Sequence, residues 1–236
     1  MRIFVAGGRG QVGVPLADLL RSQGHEVVVG SRADGVDVLT GAGLGAALAG
    51  VEVVVDVLNT TETEAGAATA FFRGTTERLL AAEQSAGVRH HVLLSIVGAD
   101  RALANGYYAG KVAGEDAVRG GDVPFSIVRA TQFVEFVPTL ADWLTVDGAV
   151  LAARTLLQPV PLADVVDLLA RTATGRPSGT TTDLAGPQAV PLDELLRRAL
   201  ADDPREVRTV QGQSLGAEST DALVPLGEHL TGSRRG

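Results

Sequence analysis

Residues 1–13 read MRIFVAGGRGQVG: a short apolar run, then four glycines, then apolar residues that continue to Leu20 with helical spacing. This order predicts a strand, a glycine-rich turn and a helix. Gly8, Gly10 and Gly13 fit the G-x-G-x-x-G pattern of dinucleotide-binding folds, in which glycine permits a tight turn and close approach to a pyrophosphate. The free N–H groups of the helix start favour an anion. We therefore assign a dinucleotide's phosphates to Gly7, Gly10, Gln11, Val12 and Gly13.

The composition narrows the class of protein. The chain has 236 residues and a formal net charge of −8, so it is a poor candidate for binding nucleic acid or an anionic membrane. It contains no cysteine, which excludes disulfides and thiolate catalysis, and its four histidines show no metal-ligand spacing. We find no signal peptide or apolar run of membrane-spanning length. These features predict a cytoplasmic protein without a metal, acting as a monomer or homodimer on a small molecule.

Strands and helices alternate along the first half of the chain. Val-rich or apolar runs predict strands at 25–30, 35–38, 51–58, 91–97 and 124–129, and a long helix spans about 66–87. This rhythm predicts an α/β fold with a Rossmann-type doubly wound parallel sheet, formed by residues 1–132. Residues 133–236 are predicted to form a small C-terminal α/β substrate region integrated with the core. Its tail, 212–236, has little periodicity and is expected to be partly flexible or to lie across the pocket.

The residues after the second strand bear on the cofactor. An NAD-binding fold places an acidic residue about 20 residues past the glycine turn, whereas Ser31 and Arg32 stand there in this chain. A hydroxyl and a guanidinium suit a 2′-phosphate, so we predict NADP(H); the alternative is that Arg32 is a solvated cation. Asp37 either faces the adenine or caps the following helix. Asn59 follows the strand at 51–58 and is either a ribose contact or part of a polar turn.

The segment Tyr107-Tyr108-Ala109-Gly110-Lys111 contains both tyrosines and the only lysine of the chain. Tyr107 and Lys111 are four residues apart, so a helix places them on one face. A nearby ammonium would favour the phenolate and lower the pKa of the tyrosine, which fits it for proton exchange with a substrate oxygen. Ser95, at the end of the strand at 91–97, is predicted to hydrogen-bond the same oxygen. The structural alternative is two half-buried tyrosines and a solvated lysine.

The strand at 124–129 runs into a further group of candidate residues. Its carboxyl end borders the predicted crevice, so we assign Ala130, Thr131 and Gln132 to the cofactor site. The next segment is apolar and interrupted by proline. We predict that Phe133, Phe136 and Trp143 line a pocket for an apolar substrate, although such stripes also form ordinary core.

These motifs resemble the short-chain dehydrogenase/reductase superfamily, in particular its atypical NmrA-like branch. The matching stretches are VAGGRGQVG (5–13), GSR (30–32), VDVLTG (36–41), LLSIVG (93–98), YYAGK (107–111), IVRATQF (127–133), QPV (158–160) and TTTDLAGP (180–187). The resemblance implies an NADP(H)-binding fold and a Ser-Tyr-Lys catalytic group formed by Ser95, Tyr107 and Lys111. It also implies that Lys111 holds the nicotinamide ribose.

The chain departs from the family pattern in two ways. The helical Asn of the catalytic tetrad found in many family members has no counterpart in FFRGTTERLL (71–80). Gly110 and Gly114 interrupt the predicted catalytic helix and serve close packing or loosen it. The leading hypothesis is an NADPH-dependent reductase of a carbonyl, quinone or activated double bond. The alternatives are an NADP(H)-binding sensor without catalysis and a cofactor-assisted isomerase, epimerase or lyase.

Overall fold

The computed structural model describes residues 1–62 and 64–233. Its strands are β1 Arg2–Ala6, β2 Glu26–Gly30, β3 Val53–Asp56, β4 His90–Ile96, β5 Phe125–Ala130, β6 Thr145–Val146, β7 Ala149–Ala152, β8 Leu156–Leu157, β9 Thr181–Ala185, β10 Val190–Pro191, β11 Glu206–Thr209 and β12 Leu230–Thr231. Its α-helices are α1 Gly13–Ser22, α2 Leu44–Ala47, α3 Ala65–Ala86, α4 Gly106–Gly120, α5 Val137–Trp143, α6 Leu162–Thr174 and α7 Leu192–Ala199.

Seven strands form one parallel sheet in the order β12-β9-β5-β4-β3-β1-β2. The chain moves from β1 outward to β2 and then returns to β3 on the other side of β1. Such a reversal opens a crevice at the carboxyl ends of the strands, where ligands bind in doubly wound folds. The predicted fold class is confirmed.

The predicted strand at 35–38 is wrong. Asp37 forms only an isolated bridge with Ala42. The glycines at 35, 41 and 43 all have positive φ, so they curl the segment into a compact loop. Val36 and Val38 are nevertheless buried, because the loop turns them into an apolar cluster with Leu44 of α2. The apolar residues of this segment do mark a buried region, as expected, but they are buried in a loop and not in a strand.

Helices cover both faces of the sheet, which explains why its strands are apolar throughout. Leu16 and Leu20 of α1 pack with Leu169 of α6 in the cluster on one face. On the other face, α2 and α3 pack against β1 and β3, and Val118 of α4 packs against β4 and β5.

Gly110 brings α3 and α4 into close contact. A Cβ at this position would lie 2.8 Å from the Ala68 backbone and from the Phe72 ring. Of the two roles considered for this glycine, close packing is therefore the one observed. It lets the helix that carries Tyr107 and Lys111 lie directly against α3.

The later part of the chain extends the same sheet, since β9 and β12 are added beside β5. Residues 213–224, here called the strap, contact the segment before α4: the Arg101 guanidinium donates to the carbonyls of Ala222 and Val224 at 3.0 and 2.7 Å. Leu223 of the strap is fully buried. Residues 234–236 of the tail lie outside the described residues, and the domain division at residue 132 stays a prediction. Between residues 1 and 62 and between 64 and 233, no helix has the length and apolar character to span a bilayer.

Candidate functional site

The backbone of the glycine turn is packed so closely that it leaves no room for a side chain at Gly13. Gly7 has φ +79°, and a Cβ on Gly13 would lie 2.3 Å from the Gly7 carbonyl oxygen. The turn and the start of α1 are therefore in direct backbone contact. Val12 precedes the helix, and its side chain does not cap the N–H groups of the first turn. Gln11 is exposed and Val12 is buried. This geometry suits the phosphates of a dinucleotide.

Ser31 shares a hydrogen-bond acceptor, Asp34, with Arg9, a residue to which the sequence analysis assigned no role. Arg9, in the glycine turn, donates from Nε to Asp34 Oδ2 at 2.7 Å and from Nη2 to Oδ1. The Ser31 hydroxyl donates to the same Oδ2 atom. Hydrogen bonds from Arg9 and Ser31 lower the pKa of Asp34 to about 2. Two donors from separate elements thus converge on one carboxylate.

Arg32 and Asp37 have less specific surroundings. Arg32 is exposed on a single 3₁₀ turn, Arg32–Asp34. The Asp37 carboxylate accepts from the Leu39 N–H at 2.9 Å within its own loop. It does not cap α2, whose N-terminal cap position is Gly43. The alternative in which Asp37 caps the next helix is therefore wrong.

Tyr107 lies in the first turn of α4. Asn105 caps that helix, and its Oδ1 atom accepts from the Tyr107 N–H at 3.0 Å. The Tyr107 ring packs edge-to-face on Phe72 of α3, with 5.4 Å between ring centroids. Its hydroxyl donates to Asn59 Oδ1 at 2.7 Å. The structure therefore brings together two residues that the sequence analysis assigned to different roles.

Lys111 is buried one turn further along α4. Its Nζ donates to the carbonyl oxygens of Leu58 and Leu94 at 3.3 Å each and lies 4.4 Å from the centroid of the Phe72 ring. Burial lowers the pKa of Lys111 to about 8, although the charges of Asp56 and Glu115 oppose the shift. The alternative of a solvated lysine is wrong.

Burial acts on the tyrosines in the opposite direction. It raises the pKa of Tyr107 above its usual range, and the neighbouring Tyr108 adds to the shift. Burial also raises the pKa of Tyr108 to about 12, which the nearby Gln132 carboxamide opposes without reaching hydrogen-bond geometry. The predicted lowering of the Tyr107 pKa by Lys111 is wrong for this arrangement, because burial and Tyr108 raise that pKa. The Lys111 ammonium donates its hydrogen bonds to the Leu58 and Leu94 carbonyls.

Ser95 lies in β4 on the side of the sheet that α4 covers. Side chains alternate along a strand, and Leu93, two residues earlier, packs against Val118 of α4. The Ser95 Oγ atom is buried and has no hydrogen-bond partner among the described residues. Lys111 binds the carbonyl of Leu94, the residue next to it. Ser95 and Lys111 therefore lie in the same region, whereas a hydrogen bond from Ser95 to a substrate oxygen stays a prediction.

The three residues at the end of β5 have different surroundings. Ala130 is buried, and the Thr131 hydroxyl donates to the Gln158 carbonyl at 2.6 Å. Thr131 therefore already ties β5 to the segment after β8. The side-chain nitrogen and oxygen of Gln132 are buried and make no hydrogen bond to any described residue. Buried amides are normally satisfied, so Gln132 is the one of the three with free binding capacity.

The predicted substrate-pocket residues do not converge. Phe133 packs against the central core, next to the bridge that it forms with Val160. Phe136 and Trp143 form an edge-to-face pair with centroids 5.1 Å apart, and 63% of Trp143 is exposed. Hydrophobic patterning could not distinguish these environments.

A buried ion pair that the sequence analysis missed orients α4. Glu115 is fully buried, and Arg129 of β5 donates to its two oxygens at 2.8 and 2.7 Å. Arg119 donates to the same carboxylate at 2.8 Å. These contacts fix α4 across β5, and with it the positions of Tyr107 and Lys111.

No protein-family profile matches the sequence. The (4-alkanoyl-5-oxo-2,5-dihydrofuran-3-yl)methyl phosphate reductase of Streptomyces griseus is 31% identical over 209 residues, which cover 80% of this chain and 69% of the reductase.

Solved structures share the fold. The NAD-dependent NDP-hexosamine 5,6-dehydratase TunA has a TM-score of 0.71 at 21% identity, covering 92% of this chain and 87% of TunA. MoeE5 in complex with UDP-glucose and NAD has a TM-score of 0.73 at 18% identity, covering 100% and 90%. A dTDP-4-dehydrorhamnose reductase from Clostridium acetobutylicum has a TM-score of 0.70 at 15% identity, covering 92% and 86%.

The sheet order and the glycine turn define a Rossmann-type nucleotide-binding protein. The similarity to the Streptomyces reductase extends over most of both chains, so the class can be narrowed. The chain belongs to the short-chain dehydrogenase/reductase superfamily. The prediction of an enzyme of this superfamily that uses a nicotinamide cofactor is confirmed.

Proposed function

We propose that this protein is an NADPH-dependent reductase of the atypical, NmrA-like type, acting on an activated double bond or carbonyl of a small molecule. The observation that carries the proposal is the arrangement around α4. A tyrosine hydroxyl, a buried lysine and a buried serine that has no hydrogen-bond partner among the described residues lie on one side of the sheet, near the carboxyl ends of β3 and β4. Each is a group that acts on an oxygen during hydride transfer.

The chain fits a dinucleotide along its crevice. Gly7, Gly10, Gln11, Val12 and Gly13 would hold the pyrophosphate, since a side chain at Gly13 would collide with the turn. Ser31 and Arg32 would hold the 2′-phosphate, together with Arg9. Arg9 and Ser31 already bind one carboxylate oxygen between them, so they form a cradle with the right charge and donors for a phosphate. Lys111, Asn59, Asp37, Ala130, Thr131 and Gln132 complete the assigned cofactor site.

The Streptomyces relative suggests the class of substrate. Its substrate name describes a five-membered lactone whose ring double bond is conjugated to the lactone carbonyl and to an alkanoyl group. Such a double bond is electron-poor and accepts hydride at carbon, which leaves negative charge on a carbonyl oxygen. We propose that this chain acts on an activated double bond of that kind, with Phe136 and Trp143, which pack edge-to-face on each other, contacting the apolar part.

The chain's own residues would manage the charge and the proton. Bound NADPH would supply the hydride. The Ser95 hydroxyl would donate a hydrogen bond to the oxygen that becomes negative. Tyr107 would give its proton to the resulting enolate. Lys111, whose ammonium donates to the Leu58 and Leu94 carbonyls, would hold the nicotinamide ribose. The product gains one hydride and one proton, and solvent then returns a proton to Tyr107.

The two alternative functions would give different results in an assay of NADPH consumption. A redox sensor would bind NADP(H) tightly without oxidising it in the presence of any acceptor. An isomerase, epimerase or lyase would consume substrate with no net loss of NADPH. The retained Tyr107 and Lys111 favour the reductase.

The test is oxidation of NADPH, followed by absorbance, with α-acyl butenolides, quinones and ketones as acceptors. We expect turnover with one of these classes and a fall of about 1000-fold in kcat for Tyr107→Phe. Tyr108→Phe is the matched control, because it removes the adjacent phenol and should retain most of the activity. A Tyr107→Phe variant with the wild-type rate would disprove the proton step.

A further inference from the structure

Asn59 makes a contact that the catalytic group described above does not include. It lies just after β3, and its Oδ1 atom accepts two hydrogen bonds: from the Thr60 N–H at 2.9 Å and from the Tyr107 hydroxyl at 2.7 Å. A backbone N–H can only donate, so the Thr60 bond requires that the atom facing it is the amide oxygen. Tyr107 must therefore be the donor in its own bond to Asn59.

The neighbouring carbonyl strengthens this link. Leu58, directly before Asn59, accepts a hydrogen bond from Lys111 Nζ. Two consecutive residues after β3 therefore hold the two functional side chains of α4, one through a backbone oxygen and one through a side-chain oxygen. The chain lacks a helical asparagine at 71–80, so the asparagine nearest the tyrosine comes from a strand end instead.

We propose that Asn59 is a positioning residue for Tyr107, which fixes the direction of the hydroxyl proton and makes that proton harder to release. This inference rests on the proposed function, in which Tyr107 is the general acid. An acceptor bonded to a phenol stabilises the protonated form, so the Asn59 oxygen raises the pKa of Tyr107. For the proton to reach a substrate oxygen, this bond must be exchanged for one to the substrate.

The surroundings of Tyr107 define which charges compete with this effect. Tyr108 and Lys111 share its helix, and Phe72 contributes an uncharged ring from α3. The Lys111 charge faces Asp56 and Glu115. A change at Asn59 alters none of these groups directly, so it isolates the contribution of the amide.

The experiment uses the presence of only two tyrosines in the chain. In a Tyr108→Phe background, biosynthetic incorporation of a fluorinated, more acidic tyrosine labels Tyr107 alone, and its ionisation is followed by fluorine NMR. Asn59→Ala removes the acceptor and should lower the pKa of the labelled residue by about one unit. Asn59→Asp places a negative charge beside the phenol and should raise it. Thr61→Ala, an exposed change in the same loop, should leave the titration unmoved.

A lowered pKa in Asn59→Ala would support the proposal, because loss of an acceptor lowers the pKa of a phenol only if that acceptor stabilised its protonated form. A raised pKa in Asn59→Asp would show that residue 59 lies beside the phenol. An unchanged or raised pKa in Asn59→Ala would overturn the proposal. The high-pH fall of kcat in the reductase assay should move with the titration. Since the NMR titration needs no substrate, it distinguishes failure of this inference from failure of the proposed reductase activity.

Discussion

The two ends of the crevice control charge by opposite means. At the glycine end, residues 7–13 and 31–35, Asp34 is exposed and hydrogen-bonded partners lower its pKa to about 2. At the tyrosine end, residues 58–59, 95 and 107–111, Lys111 is buried and loss of solvent lowers its pKa to about 8. Partners stabilise charge at the first end, whereas burial penalises it at the second. Higher ionic strength should therefore weaken the interaction of Asp34 with its partners at the first end, whereas a change of pH should alter the charge of Lys111 at the second.

Lys111→Met should have the largest effect, because it removes the buried charge and both hydrogen bonds to Leu58 and Leu94 while keeping a side chain of similar length. We expect kcat for NADPH oxidation to fall by about 1000-fold. An unchanged kcat would mean that the lysine is only structural.

The same variant tests the burial of the charge. Above pH 8 the folded protein has released the Lys111 proton, whereas the unfolded chain still binds it. The free energy of unfolding should therefore rise with pH between about 8 and 10, by up to about 3 kcal/mol at 1.36 kcal/mol per pKa unit. Denaturant titrations should show this rise in the wild type and its loss in Lys111→Met. A parallel rise in both proteins would contradict the assignment.

Ser95→Ala should separate activity from stability at the tyrosine end. The hydroxyl is buried without a protein partner, so its removal breaks no hydrogen bond to a described residue and should change the free energy of unfolding by less than about 1 kcal/mol. Loss of a donor to the developing negative charge should lower kcat by about 100-fold. A destabilised but active variant would reverse both expectations. Ser126→Ala is the control, since Ser126 is buried in β5 and hydrogen-bonded to His90.

Asp34→Asn should have the smallest effect and act at the glycine end. It removes a negative charge that competes with a 2′-phosphate for Arg9 and Ser31, so NADPH should bind about fivefold more tightly, measured by cofactor fluorescence. NADH affinity should change little, and the gain should shrink at high salt.

Asp18→Asn makes the same charge change in the same surface cleft, next to Arg21 and without a bond to Arg9. It should leave NADPH affinity within twofold of the wild type. Weaker NADPH binding by Asp34→Asn would show that Asp34 orients Arg9 for the phosphate, contrary to the competition expected here.

Local patterns predicted much of this molecule. The glycine turn lies within seven residues, and the relation of Tyr107 to Lys111 follows from one helical turn, so periodicity was sufficient for both. The contacts of Arg9 with Asp34 and of Asn59 with Tyr107 join residues 25 and 48 positions apart. Both contacts depend on how strands and helices pack against each other. The spacing of residues along a single sequence does not reveal that packing. Trp143 shows the same limit, because its apolar character gave no sign that it would be exposed.

The strap has a consequence for the order in which the molecule is made. The Asn105 side chain, which caps the helix of Tyr107, also donates to the carbonyl of Leu215, 110 residues later. Gly98 likewise lies so close to Ala222 that a Cβ would be 1.9 Å from its carbonyl oxygen. During synthesis on the ribosome, the residues whose backbones lie against Gly7, which are Gly30 and Val57, emerge by the end of β3 or directly after it. The start of α4 must wait for nearly the whole chain, so the turn assigned to the dinucleotide phosphates should form before the end of the crevice that carries Tyr107.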